Sequence, residues 1–414
     1  MSIPEVSEAL DVLRTAADRT LNAFPSQTWT RVSGPGPDSL TQNGDGGFVG
    51  LSLKPGTDLV LSCRLTIPET VDGVQLPGDE LLATVFSLYP MELTLDGKPV
   101  YDAGGVPVAA GPCMFTVAEH LKPGDNGELR LTLKVPQNQT TTWFQMKFTT
   151  PGLREKFEAI DVAWAQLAMA DALAFTPEER NKATGAANRI PSKLPPSMSK
   201  LLSVFEEVAA DLADLDARAK ATKVHCIGHS HIDMNWLWTW PDTVEVIKRD
   251  FRSVLDLMDE FPELTFSHSQ PATYEVIRHE EPKLFERVLA RIREGRWEPI
   301  TMTWVEGDVN MASGEAHARQ LLEAVWYTRE VLGADPTTYH APDTFGHAGN
   351  LPQLAVSAGA KRYYHHRANP GGTDPWPAYW WEGQDGTRLL AISTPSYNGE
   401  IYARDLAAAA IRAI

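Results

Sequence analysis

The hydrophobic period of this chain changes three times, and each change closes off a class of fold. Between residues 48 and 148, short runs alternate apolar and polar side chains, clearest where Leu129, Leu131, Leu133 and Val135 interleave with Glu128, Arg130, Thr132 and Lys134. A two-residue period puts the apolar groups on one side of an extended backbone, so it suits strands and excludes a long helix. Asp96-Gly97 separates two such runs and predicts a hairpin. With Pro, Gly and Asp punctuating the other runs, 31–150 reads as a β-sandwich. Ahead of it, Leu10, Val12, Leu13, Ala16, Leu21 and Phe24 carry helical spacing until Pro25, which predicts a helical segment within 1–30.

After Pro151 the helical period returns over 153–174 and 200–219, interrupted by a Pro-rich break at 190–196, so 151–221 reads as a helical connector. A third pattern occupies 222–414. Short apolar runs at 224–228, 264–267, 297–303, 337–341, 361–365 and 388–394 are predicted strands, with helices near 243–260 and 274–294. This alternation predicts an α/β, β/α-barrel-like domain with its reactive groups at the C-terminal strand ends. The last residues, 405–414, form a helix pattern with no Gly, Asn or Pro stop, so the domain reads as truncated at its C-terminus. The apolar face of 406–414 is accordingly expected to lie open.

Charge narrows the partners. Lys and Arg number 37 against 54 Asp and Glu, a net charge of −17 that repels phosphate polyanions, so no nucleic acid and no anionic membrane are expected as partners. Cys63, Cys113 and Cys226 include no Cys-x-x-Cys pair and cannot make a disulfide framework. With no signal-peptide core in the first residues and no apolar run of roughly 20 residues, the reading is cytoplasmic.

The densest chemistry lies in Gly228-His229-Ser230-His231-Ile232-Asp233-Met234-Asn235-Trp236, where a predicted strand ends. Residues two apart on extended backbone share a side, so His231 with Asp233, or His229 with His231, can share one metal ion. The competing reading is a turn whose side chains satisfy backbone groups. Asp308 and Asp343 also follow strand patterns, and acids gathered on one face repel unless a cation compensates. A solvated charged surface is the alternative. Trp236, Trp238 and Trp240 suit the apolar faces of sugar rings and equally suit a core. Arg319 can orient a carboxylate or sit in a surface ion pair.

These motifs, taken together, resemble the catalytic domain of glycoside hydrolase family 38, the retaining α-mannosidases, and particularly its cytosolic and bacterial branch. The resemblance runs in order through His229-Ser230-His231-Ile232-Asp233 with Trp236-Leu237-Trp238, Ser269-Gln270, Tyr274-Glu275, Glu294-Gly295-Arg296-Trp297-Glu298-Pro299, Trp304-Val305-Glu306-Gly307-Asp308, Ser313-Gly314-Glu315 with Arg319-Gln320, Pro342-Asp343-Thr344-Phe345-Gly346-His347, Trp380-Trp381-Glu382-Gly383 and Tyr397-Asn398-Gly399. Tyr364-His365-His366-Arg367 departs from it, standing where related sequences usually carry a Thr-Gln-Lys-like turn.

The resemblance implies zinc, with cobalt a substitute, held by His231, Asp233 and Asp308, whose side chains should face one point. It also makes Asp308 the nucleophile, and it puts Asp343 on the sugar hydroxyls. Retaining hydrolysis needs a second acid about 5–5.5 Å from the nucleophile; the family supplies it, a further ligand histidine and more domains later in the sequence. This chain alone is therefore expected to be inactive. The implied partner is a mannose-containing oligosaccharide, and the implied assembly a homo-oligomer. The rival enzyme class is a metal-dependent deacetylase or amidohydrolase, using metal-activated water instead of a nucleophilic Asp308. The non-enzyme rival is a carbohydrate-binding or assembly module.

Overall fold

A computed structural model describes residues 3–413 apart from 43–48, 77, 88, 104–107, 123, 136, 138–140, 237, 371–375, 395 and 398–400. Leu237, Asn398 and Gly399 of the motifs above lie outside the described residues. The chain divides into two compact units, Met1–Val224 with Glu400–Ile414, and His225–Gly399.

In the first unit, helix α1 (Pro4–Leu21) precedes strands β1 (Gln27–Ser33), β2 (Ser39–Gln42), β3 (Val49–Ser52), β4 (Leu59–Thr66), β5 (Thr70–Val71), β6 (Val74–Gln75), β7 (Leu81–Ser87), β8 (Met91–Leu95), β9 (Lys98–Asp102), β10 (Val108–Ala118), β11 (Asn126–Leu133) and β12 (Thr141–Thr149). One sheet runs β2-β1-β4-β11-β8-β9 and another β10-β7-β12-β3. All their pairings are antiparallel. The alternation seen in the sequence sets the faces: Leu59, Leu61, Cys63 and Leu65 on β4 and Leu129, Leu131 and Leu133 on β11 are buried in one core with Leu81, Ala83 and Val85 of β7. Asp96 and Gly97 both take positive φ (50° and 77°) at the β8–β9 hairpin, the backbone that a tight two-residue turn requires.

Helices α2 (Pro151–Leu173), α3 (Pro177–Arg189), α4 (Met198–Asp211) and α5 (Ala213–Ala221) follow. Thr150 caps α2 by accepting from the Leu153 amide at 3.3 Å, with Pro151 at the first turn, and Thr176 with Glu179 forms a capping box on α3. The N-terminal helix is part of this layer, since Val6, Leu13 and Ala17 share a core with Ile160, Leu167 and Ala183. The last helix, α11 (Ala403–Ala413), belongs here too. Its Ala407 and Ala410 are buried and Arg404 pairs with Asp161 of α2, so the face expected to lie open is covered.

The second unit contains β13 (Gly228–Ser230), β14 (Phe266–His268) and β15 (Trp297–Pro299) in one parallel sheet, and β16 (Thr338–Ala341), β17 (Arg362–His365), β18 (Ala378–Glu382) and β19 (Arg388–Ser393) in another. Only β18 is antiparallel. The α/β character matches the sequence pattern, while among the described residues the strands form two sheets instead of a closed barrel. Pairing stops at β15 because 300–313 forms bends and turns, and it resumes at β16.

Two predicted boundaries move for physical reasons. The strand expected at 224–228 begins at Gly228, since Val224 and Ile227 are 42% and 64% exposed and their apolar run covers no core. The helix expected over 274–294 is two, α7 (Pro271–Glu280) and α8 (Pro282–Arg293), because Pro282 cannot donate to a continuing ladder and pushes Glu281 out of helical geometry (φ −133°). Helix α6 (Trp240–Glu260) begins behind a Thr239–Asp242 capping box, directly after the His-rich turn, and α9 (Gly314–Glu330) and α10 (Leu351–Ser357) complete the helices of this unit.

Candidate metal and sugar site

The His-rich turn leaves β13 and is tied down at once by α6. The Thr243 hydroxyl lies 3.1 Å from the Asp233 carbonyl and 2.9 Å from that of Met234, and it accepts from Trp238 Nε1 at 2.9 Å. A second anchor is Gln270, a buried residue with φ of 66°. Its amide group donates to the Ile232 carbonyl (3.0 Å) and accepts from the Glu306 amide (3.0 Å). Left-handed backbone costs of order 1–3 kcal/mol at a non-glycine position, and here it places one side chain as a strut between two strand-end loops.

Glu306 is the hub. Its Oε1 accepts from the Asp343 amide (2.7 Å) and the Thr344 hydroxyl (2.8 Å), and its Oε2 lies 2.7 Å from His231 Nδ1. Asp343 is held in turn by Arg367, whose Nε and Nη2 both lie 2.5 Å from Oδ1. His229 donates Nε2–H to the Tyr397 carbonyl (2.8 Å), and the Tyr397 ring meets His231 edge-on at 5.9 Å.

One ligand atom from each of His231, Asp233 and Asp343 lies within 4.8 Å of the others. An ion with bonds of about 2.0–2.2 Å holds its donors no more than ~4.4 Å apart, so the set needs to contract only slightly. His231 is half-buried with both ring nitrogens shielded from solvent, and neither nitrogen makes an aligned hydrogen bond among the described residues, so Nε2 faces the Asp233 carboxylate at 3.6 Å without one. Burial opposes charge on this ring, but the Asp233 and Glu306 carboxylates outweigh it and hold its pKa up at about 10. An imidazole nitrogen with two carboxylates is a donor set that fits zinc, and Glu306 on the far nitrogen is the orienting partner such ligands use.

The sequence candidates are thus distributed unevenly. His231, Asp233 and Asp343 stand together. Asp308 joins no such group among the described residues; it is exposed, and its Oδ1 accepts from the Asn310 and Met311 amides at 2.9 and 3.0 Å, a turn cap that fixes one oxygen and leaves Oδ2 outside the turn. Trp236 is exposed on the same turn as Asp233, edge-on to Trp238 at 5.3 Å. Arg319 is in the surface ion pair that was its alternative, donating to Glu315 at 2.9 Å on an exposed helix face. The orienting roles of Glu306, Gln270, Arg367 and Tyr397 had no signal in composition or spacing. Their motifs marked the segments, while the contacts depend on how distant loops meet.

Comparison with known proteins agrees on the same stretch. Residues 221–412 match the Glycosyl hydrolases family 38 N-terminal domain. Alpha-mannosidase G of Dictyostelium discoideum is 32% identical over 189 residues, which is 45% of this chain and 17% of that protein. Alpha-mannosidase 2C1 of Homo sapiens is 30% identical over 211 residues, 50% of this chain and 20% of that one. A solved α-mannosidase structure from Enterococcus faecalis V583 is similar over 45% of this chain and 22% of its own, at 22% identity and a TM-score of 0.39. The chain spans about a fifth of the length of the curated relatives it matches.

Proposed function

We propose that this chain, whose residues 221–412 match the Glycosyl hydrolases family 38 N-terminal domain, is the metal- and sugar-binding part of a retaining, zinc-dependent α-mannosidase acting on mannose-containing oligosaccharides. The observation that carries the reading is the convergence of His231, Asp233 and Asp343 around the Glu306 hub, inside the matched residues. His231 and Asp233 are the proposed zinc ligands. When bound, zinc supplies a Lewis-acid template for two adjacent sugar hydroxyls. Asp343, grouped with those two ligands, stands beside the metal, where one oxygen faces the ion and the carboxylate accepts hydrogen bonds from those hydroxyls, and Trp236 offers its face to the ring.

Asp308 is the proposed nucleophile and a further metal-side carboxylate. Its Oδ2, not engaged by the turn, attacks the anomeric carbon, and the glycosidic C–O bond breaks as the leaving oxygen takes a proton from a general acid. Water then displaces the sugar from Asp308 with retention. The general acid is assigned to the later part of a longer protein of the relatives' length. Three cysteines without a disulfide pattern support a cytoplasmic setting, and among the described residues no helix is long and apolar enough to cross a membrane. Arg319, engaged by Glu315, has no part in the proposal.

The test is covalent trapping in the full-length protein with a fluorinated α-mannosyl fluoride, followed by peptide mapping. A sugar adduct on Asp308 is expected. Turnover of α-mannosides with no adduct would remove Asp308 from the role and favour metal-activated water, and an adduct on another residue would move the nucleophile to that residue.

A further inference from the structure

Arg367 closes the four-residue turn 364–367, and both its backbone and its side chain are held. Its backbone carbonyl accepts from two histidines at once, His347 Nε2 at 3.0 Å and His365 Nδ1 at 2.9 Å. Each histidine is braced through its other nitrogen, by the Tyr363 hydroxyl (2.7 Å) and the Tyr379 hydroxyl (2.7 Å). Both rings are kept on the neutral side, chiefly by burial, which suits one donating and one accepting nitrogen in each. The backbone of Arg367 is therefore fixed before its side chain does anything.

The guanidinium is fixed as well. One edge puts Nε and Nη2 on the single oxygen Oδ1 of Asp343, and its carbon lies 4.0 Å from the ring centroid of Phe345. Phe345 is 76% exposed, a poor position for an aromatic residue unless its face has a partner, and the arginine is that partner. The Tyr397 hydroxyl interacts with both the carboxylate and the guanidinium. Asp343 has its backbone amide on Glu306, so main chain and side chain are anchored from opposite loops.

We infer that Arg367 is the positioning residue of the site: by occupying Oδ1 of Asp343 it turns Oδ2 toward His231 and Asp233, and Phe345 keeps it from swinging away. The inference deepens the metal and sugar reading above and rests on it. A carboxylate with one oxygen committed to a stacked guanidinium has lost most of its rotational freedom, so its second oxygen is presented in one orientation. A lysine, a point charge without the planar fork, would neutralise Asp343 without orienting it.

The experiment is a double-mutant cycle read by zinc affinity, using chelator competition and, with cobalt, the visible absorption of the bound ion. Loss of an orienting partner typically lowers metal affinity about 10–100-fold. Arg367→Ala is expected to fall in that range, Arg367→Lys to recover only part of it, and Phe345→Ala to show a smaller loss, each with an unchanged circular dichroism spectrum. Asp343→Asn alone is expected to weaken zinc, and adding Arg367→Ala to it to cost nothing more, because the arginine acts through that carboxylate. Affinity within about twofold of wild type in Arg367→Ala, or a full additional loss in the Asp343→Asn background, overturns the inference while leaving the metal reading in place. Wild-type protein with no saturable zinc binding, or with binding indifferent to His231→Ala, overturns both.

Discussion

At the scale of single residues, the site turns on which of two acids faces inward. Glu306 and Asp308 lie two positions apart in one motif, yet Glu306 contacts His231, Asp343 and Thr344 while Asp308 caps its own turn. Glu306→Ala removes the partner of a half-buried imidazole and strands two donors, so it is expected to cost roughly 2–4 kcal/mol of stability in the second unit. Zinc affinity should also fall, about 10–100-fold. Asp308→Ala forfeits only turn bonds at an exposed position and should stay within about 1 kcal/mol of wild type in chemical denaturation. Equal destabilisation by the two would contradict the hub assignment. The His-x-Asp pair was legible because it leaves a strand as a two-residue repeat. The inward role of Glu306 was not, because 300–313 has no regular period and its facing is decided by Gln270 reaching across from another loop.

Elements decide how rigidly those residues are presented. Thr243 is one turn into α6, and its hydroxyl ties the helix to the Asp233 and Met234 carbonyls and the Trp238 indole. Thr243→Val keeps the shape and removes every one of these bonds at a fully buried position, so a loss of about 2–3 kcal/mol is expected. Because the turn carries Asp233, zinc binding should weaken with it, and Thr243→Ser should restore most of both. A Val variant with wild-type unfolding and wild-type zinc affinity would show that the turn is held by other contacts. In the first unit the comparable contact is Lys156 of α2, 1% exposed, on Asp72 at 2.9 Å, with Thr20 and Arg19 on the same carboxylate. Lys156→Ala leaves Asp72 less compensated and is expected to cost about 3–5 kcal/mol in thermal or urea unfolding. Sandwich strands and capped helices were legible because period, Pro and Gly act locally. Neither the burial of α11 against α2 nor the break into two separate sheets was, since both depend on contacts between elements far apart in sequence.

Across the whole molecule, the two units carry different titrating groups, and acid should separate them. In the second unit burial holds His268 down to about 3, His340 well below the usual histidine value, and His347 and His365 also lowered. Above pH 6.5 these rings are neutral whether the chain is folded or not, so they add no pH dependence. Below it the unfolded chain binds protons that the folded unit refuses, so stability falls as pH drops, for His268 until the folded ring titrates near pH 3. His231 works the other way: its pKa is raised to about 10, so what it contributes to the metal-free fold is fully present below 6.5 and is lost only as pH rises toward 10. In the first unit the counterpart is Asp72, lowered against its own burial by Thr20, Lys156 and Arg19, and its contribution is present above 3.8 and lost only as pH drops below that. Hydrogen exchange on the chelator-treated protein should therefore show residues 225–399 losing protection first as pH falls below 6.5, while residues 4–221 stay protected until the pH falls below about 4. Simultaneous loss of protection in both units below pH 4 would mean that the buried histidines open to water without unfolding, and that their neutrality is not what acid attacks.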